Sequence, residues 1–393
     1  SFVPSKVIVV TPPWNFPVAI PAGSTLAALA AGASVIIKPA RPAARCGAVM
    51  VEALWEAGVP REVLQYVQFS DRELGSELIK NPSVDRVILT GGIETAELFR
   101  SFRPELPLLA ETSGKNAIIV TPSADYDLAA KDVVASAFGH AGQKCSAASL
   151  VVLVGQAQRS RRFREQLLDA VRSLTVGYPW DAASQMGPII TPASGKLLDG
   201  LTKLGAGERW VVEPRKMDDS GKLWSPGVRA GVQRGSEFHL VEYFGPILGI
   251  MTADTLEEAI DIVNEVDYGL TSGIHSLDRG EVSQWLDTIQ AGNLYVNRGI
   301  TGAIVQRQPF GGWKKSVVGC TTKAGGPNYL VGLGAWERST AAVVAPIAHQ
   351  GAQSILDAAN AVAKAHSAAL SREDAAMLER ALGSDAQAWA EEF

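Results

Sequence analysis

Through its first third the chain alternates short apolar runs with helix-length stretches, and this alternation limits the fold more than any single motif does. Val7–Val10, Val35–Ile37, Val63–Val67, Arg86–Leu89 and Leu106–Ala110 read as strands. Between them, Ser24–Gly32 reads as an Ala/Leu helix with Ser24 as its N-cap, and Ala43–Ala57 as a helix stopped by Gly58 and Pro60. Asp71–Lys80 and Glu94–Phe99 read as two more helices. Strands this apolar need cover on both faces, and intervening helices supply it, so the pattern predicts an α/β chain with a parallel sheet. Ligands of such a sheet sit beyond the carboxyl ends of its strands.

A second unit is expected from about Gly114 to about Gly312. Its strands are Ala117–Val120, Leu150–Val154, Ile247–Met251 and Leu294–Asn297, and its helices include Leu128–Phe138, Gln158–Ser173 and Leu256–Val266. Glycine and polar residues cluster around 205–236, which reads as an irregular excursion. Near the C-terminus, Ile355–His366 and Glu373–Leu382 read as Ala-rich peripheral helices, the second with Ser371 and Asp374 in a capping-box pattern.

Bulk properties exclude several classes. A net charge of -5 argues against nucleic acid or an anionic membrane surface as the main partner. The uncharged segment Val18–Ile37 imitates a membrane span, but Pro21, Gly23 and Gly32 divide it, and membrane association is not indicated. Three scattered cysteines (Cys46, Cys145, Cys320) form neither a disulfide framework nor a metal cluster, so no metal is expected and a reducing, cytoplasmic compartment is. The chain opens without Met and enters the strand Lys6–Thr11 almost at once, which reads as a piece excised from something longer.

One thiol and one carboxylate carry the chemistry. Cys145 lies in Gly-Gln-Lys-Cys-Ser, where Gly142 and the small residues Ser146, Ala147 and Ala148 let backbone N–H groups approach a reacting carbonyl. A buried Cys is more often inert packing, and His140 could make it a Cys/His hydrolase instead. Glu111 ends an apolar strand 34 residues upstream. Desolvated there, its carboxyl would have a raised pKa suited to a general base, unless it pairs with Lys115 or Lys38. Asn15, held in Trp14-Asn15-Phe16-Pro17, is a candidate oxyanion donor, although the same run could be a rigid aromatic turn. Thr90-Gly91-Gly92 closes a strand and opens a helix, where N–H groups can meet a pyrophosphate. Lys38 could reach a ribose hydroxyl.

Together these residues resemble the aldehyde dehydrogenase superfamily. The matching elements are Pro12–Pro17, Lys38-Pro39-Ala40, Leu89–Gly92, Glu111–Lys115, Gly142–Cys145, Glu242–Pro246 and Pro309–Gly312, in the family's order over about residues 3–330. The resemblance implies an aldehyde-dehydrogenase-like α/β fold: a parallel Rossmann-type NAD domain, an α/β catalytic domain and a C-terminal helical extension. It places a dinucleotide-binding domain at 1–112, with its N-terminal part absent, and a catalytic domain at 113–312. A substrate-anchor loop and return segment follow at 313–332, and the helical extension at 333–393. Cys145 would attack the aldehyde as thiolate, Asn15 and the Cys145 N–H would hold the oxyanion, hydride would pass to the nicotinamide, and Glu111 would activate water against the thioester. Pro12, Trp14, Lys38, Gly91, Gly92, Glu242 and Phe244 would line the dinucleotide site.

A narrower resemblance is to the 1-pyrroline-5-carboxylate (glutamate γ-semialdehyde) dehydrogenase branch, including the second catalytic module of the bifunctional proline utilization A flavoproteins. Gly269–His275, Gly292–Arg298 and Lys323–Leu330 carry it. It implies that Ser146 and Ser316, with backbone N–H groups near Gly319 and with Phe310, grip the α-carboxylate and amine of the semialdehyde. It also implies a homo-oligomeric parent whose preceding proline dehydrogenase domain holds FAD. Arg41, near Lys38, leaves NADP open beside NAD. The loop 313–322 is two residues longer than in some relatives. Other readings are a dehydrogenase for another small semialdehyde such as succinate semialdehyde, and an inactive structural fragment; a coenzyme A-dependent relative fits less well, because Glu111 supplies a water-activating base.

Overall fold

The computed structural model describes residues 2–303, 307–319, 323–337, 350–365, 377, 380 and 381. The chain divides into two compact units, residues 4–335 and residues 1–3 with 336–393. In the first, β1 (Val7–Thr11), β2 (Ser34–Ile37), β3 (Leu64–Tyr66), β4 (Arg86–Thr90) and β5 (Leu108–Glu111) form a parallel sheet in the order β5-β4-β1-β2-β3. Helices α1 (Ala19–Ala30), α2 (Ala44–Glu56), α3 (Arg72–Lys80) and α4 (Ile93–Phe102) connect them. Strand order reverses between β1 and β4, so a crevice opens where β1 ends at Thr11 and β4 ends at Thr90.

Helix α1 starts earlier than expected. Ser24 is a buried residue inside the helix, and Val18 stands at its N-cap without a side-chain hydrogen bond. Pro21 falls in the first turn, where its missing N–H costs nothing, so the proline starts the helix instead of delaying it. In contrast, Asp71 caps α3 by accepting from the Leu74 N–H at 2.9 Å, and Gly58 follows α2 with φ of 104°, a left-handed conformation suited to glycine.

The second sheet comprises β6 (Asn116–Val120), β7 (Ala148–Val154), β8 (Arg209–Val212), β9 (Gly227–Ala230), β10 (Ile247–Ala253), β11 (Thr271–His275) and β12 (Asn293–Val296). Their order is β12-β11-β6-β7-β10-β9-β8, parallel except for the edge pair β8/β9. Helices α5 (Tyr126–Phe138), α6 (Arg161–Arg172), α7 (Gly195–Thr202), α8 (Leu256–Glu265) and α9 (Arg279–Thr288) accompany it. The stretch 205–236 is therefore more ordered than expected: it contributes β8 and β9. These strands are hard to read because the buried Arg229 of β9 breaks the apolar pattern.

A short strand β13 (Val317–Val318) returns to the first sheet, antiparallel to β5, with Val317 opposite Glu111. The carboxyl end of β5 and the amino ends of β6 and β7 thus meet at one place. The other unit contains helix α10 (Gln350–Ala365), which covers the expected Ile355–His366 helix as far as Ala365 and begins before it, at Gln350. The expected helix Glu373–Leu382 and Cys320 lie outside the described residues, apart from the isolated positions 377, 380 and 381. Among the described residues, no helix is long and apolar enough to cross a membrane, and no group of three His, Cys, Asp or Glu residues could hold a metal ion.

Candidate active site

Cys145 is aimed by a strained turn. Helix α5, capped by Asp125, ends at Phe138. His140 (φ 60°), Ala141 (φ 52°) and Gly142 (φ 67°) then run through left-handed backbone, unusual for the first two. Glycine is required at 142: a Cβ there would stand 2.1 Å from the Gly245 carbonyl oxygen. The side chains of Gln143 and Asn116 fix the loop around Cys145. Gln143 donates from Nε2 to the Phe244 carbonyl (3.3 Å), and its Oε1 accepts from the Ile190 N–H (3.0 Å). Asn116, at the start of β6, donates to the carbonyls of Cys145 (2.7 Å) and Ala147 (2.9 Å).

The Cys145 thiol lies close enough to the Glu111 carboxylate for each to shift the other's pKa. Desolvation pushes the Glu111 pKa up to about 8, and the nearby thiol only partly offsets it. Desolvation also holds the Cys145 pKa well above its ordinary value, helped by the negative charges of Glu111 and Glu242. The N–H groups of Ser146 and Cys145 act in the opposite direction, by bonding the thiolate. Glu111 does not take the alternative partner Lys115. That lysine is buried, its amine 4.2 Å from the Phe238 ring centre and 5.2 Å from that of Tyr243. Desolvation lowers the Lys115 pKa to about 7.

Asn15 follows β1 and is buried, and its Nδ2 donates to the Gln143 carbonyl at 3.1 Å. One amide N–H is thereby tied to the Cys145 loop and the second remains for another acceptor. The thiol's partner is Glu111, so His140 is not placed as its base. His140 instead stacks on Phe16, beside Asn15.

The expected dinucleotide residues gather around the crevice of the first sheet. Gly92 is the N-cap of α4 and brings no side chain of its own; the Ile93 N–H at that helix start donates to the Ser113 hydroxyl at 3.3 Å. The Gly91 N–H is bonded to the Glu111 carbonyl at 3.1 Å. Lys38 follows β2, with its pKa lowered by desolvation and then by Arg41. Trp14 meets Phe244 edge to face at 5.7 Å, and Phe244 holds a left-handed φ of 57°. Pro12 is buried directly after β1. Glu242 is buried, accepts from the Gly114 N–H at 3.0 Å, and has its pKa raised by desolvation. A glycine at a helix start, a desolvated lysine and a buried carboxylate are residue types suited to the phosphates and ribose of NAD.

The substrate-anchor expectation needs one correction. Ser316 is fully buried, and its hydroxyl is spent within the protein: it donates to the Ser113 carbonyl (2.6 Å) and accepts from the Gly269 N–H (3.0 Å). It ties the returning loop to the catalytic strand and does not face a ligand. Gly319 (φ 96°) packs against the Leu108 carbonyl, which a Cβ would approach to 2.0 Å. Phe310 is held by its N–H to the Ala324 carbonyl at 2.9 Å. Ser146 is buried beside Cys145.

Asn116 does not stand out in the sequence, and nothing in its local pattern marks it; its partners lie as far as 155 residues away, as for the Thr271 N–H whose hydrogen bond it accepts.

The family model described as "Aldehyde dehydrogenase family" matches residues 2–331. A 1-pyrroline-5-carboxylate dehydrogenase of Geobacillus thermodenitrificans (strain NG80-2) is 38% identical over 339 residues, covering 84% of this chain and 65% of that protein. The chain therefore spans about two thirds of the length of this relative. The solved structure of proline utilization A from Corynebacterium freiburgense aligns with a TM-score of 0.85 and 54% identity, over 91% of this chain and 37% of that one. A 1-pyrroline-5-carboxylate dehydrogenase from Thermus with bound NAD aligns with a TM-score of 0.78 and 34% identity, over 85% of this chain and 66% of that one.

Proposed function

The chain belongs to the aldehyde dehydrogenase family, and from that membership we propose that it oxidises L-glutamate γ-semialdehyde to L-glutamate with NAD. The observation that carries this reading is the pairing of Cys145 with Glu111 at the junction of the two sheets, with Asn15 tied into the same loop. Relatives named 1-pyrroline-5-carboxylate dehydrogenase support the substrate, and the NAD-bound relative supports the cofactor.

In this mechanism Glu111 takes the Cys145 proton and the thiolate attacks the aldehyde carbon. The Asn15 amide and the Cys145 N–H receive the oxyanion of the thiohemiacetal. The chemistry that NAD supplies when bound is acceptance of a hydride. Lys38 and the start of α4 would hold its adenosine side, and Glu242 and Phe244 its nicotinamide side. Once Glu111 has passed that first proton to solvent, its carboxylate deprotonates the water that hydrolyses the thioester left on Cys145, and the acid leaves as the thiolate is released.

Similarity to proline utilization A over most of this chain supports a bifunctional parent protein with a proline dehydrogenase domain, and FAD in that domain is part of the proposal. A homo-oligomeric, cytoplasmic parent belongs to the same reading. The Ser316 hydroxyl, already bonded within the protein, favours one alternative, a smaller acidic semialdehyde such as succinate semialdehyde. A side-by-side rate comparison separates the two: faster turnover of succinate semialdehyde refutes the glutamate assignment. Cys145→Ala should abolish turnover and the hydride burst while NAD still binds; retained turnover would sink the mechanism.

A further inference from the structure

We propose that His140 is a positioning residue that holds Asn15 in the orientation needed to receive the oxyanion. The inference rests on the reading of Asn15 as the oxyanion donor. Asn15 follows β1 of the first sheet, whereas His140 lies in the turn between α5 and Cys145 of the second. The imidazole lies parallel to the ring of Phe16, the next residue, with a centroid separation of 5.8 Å and an interplanar angle of 2°, close enough to the Asn15 backbone to influence the His140 pKa. On its other side, the Asn15 amide donates to the Gln143 carbonyl at 3.1 Å. The Asn15–Phe16 segment is thus gripped twice by the loop that carries the nucleophile. An amide group is planar, so tying one N–H and fixing the backbone sets the direction of the second N–H.

The backbone supports the same role. His140 and Ala141 both occupy left-handed conformations, which persist only where the surroundings over-determine them. Desolvation of the ring and the neighbouring Lys144 ammonium lower the His140 pKa, favouring a neutral ring that donates a single N–H. The role is confined to Asn15, because the thiol's own partner is Glu111.

The test measures the single-turnover hydride burst by NADH fluorescence, using the full chain and glutamate γ-semialdehyde. His140→Gly suits the left-handed backbone. It should slow the burst about 10- to 100-fold, the scale of a small misplacement at a reacting centre. NAD affinity, measured by titration, should not change, and free imidazole should restore part of the rate, since His140 is exposed. Asn15→Ala should slow the burst about 10²–10³-fold, and adding His140→Gly to it should slow it no further. A wild-type burst in His140→Gly beside a slowed Asn15→Ala would overturn the inference, as would an equal slowing by His140→Gly in both backgrounds. An unchanged burst in Asn15→Ala would instead overturn the oxyanion reading itself. If His140→Gly does not fold, His140→Asn, which also tolerates this backbone, takes the same comparison.

Discussion

Glu111 sits where two demands conflict, since a base must be ionised to act and desolvation opposes ionisation. With its pKa near 8, the deacylation rate should rise about tenfold per pH unit below that value and level off above it. Glu111→Gln should give a hydride burst without steady turnover, and whatever rate remains should lose this pH dependence. The stability sign follows from the same shift. The folded carboxyl binds its proton more tightly than the unfolded one, so Glu111 favours folding at low pH. That contribution is lost as pH rises from the unfolded value of 4.5 through about 8. Denaturation curves at pH 5 and pH 9 should therefore show Glu111→Gln gaining relative stability at the higher pH. At this scale much was legible: Cys145, Glu111, Asn15 and Gly92 stand out by residue type and glycine context. Ser316 did not follow suit, because nothing local reveals that a hydroxyl is already spent on Ser113 and Gly269.

Elements were legible wherever one period dominated. The strands of the first sheet and helices α2, α3 and α5 lie close to their expected bounds, because apolar runs end at glycine, proline or a capping aspartate. Helix α1 shows the limit, since a proline serves a first turn as well as it breaks an interior. Two glycines separate these roles. Gly23 lies inside α1 with nothing within 4 Å of a built Cβ, so Gly23→Ala should stabilise by about 0.5–1 kcal/mol. Gly142 has φ of 67° and a carbonyl 2.1 Å from the built Cβ. Gly142→Ala should therefore destabilise and also displace Cys145. Urea denaturation paired with the hydride burst checks both: opposite signs are expected, and a stable, active Gly142→Ala would refute the packing argument.

At the scale of the whole molecule, the two sheets meet with opposite polarity: β5 arrives by its carboxyl end and β6 and β7 leave by their amino ends. The rule that ligands sit beyond strand carboxyl ends thus holds for the first sheet, while Cys145 precedes its own strand. The edge of the second sheet depends on a buried ion pair, Arg229–Glu208, at 2.7 Å, with side chains 2% and 1% exposed. Arg229 also donates to the Gly200 carbonyl and lies over the Trp210 and Phe238 rings. Removing one member leaves a buried charge uncompensated, so Glu208→Ala should cost about 3–5 kcal/mol in denaturant titrations. The pair belongs to the β8/β9 edge of the second sheet, whereas the dinucleotide crevice opens in the first. NAD affinity should therefore survive wherever the variant remains folded; a loss of stability below 1 kcal/mol would refute the argument.

The α/β alternation, the parallel first sheet and the identities of the thiol, carboxylate and amide can be read from the chain alone, since they follow from local periodicity and residue chemistry. Which of these groups meet is set by the packing of the folded molecule. Asn15 reaches Gln143 across 128 residues, and the Thr112 N–H donates to the Ser316 carbonyl at 3.0 Å. Such contacts follow from strand order and the meeting of two sheets, which no local window of residues contains.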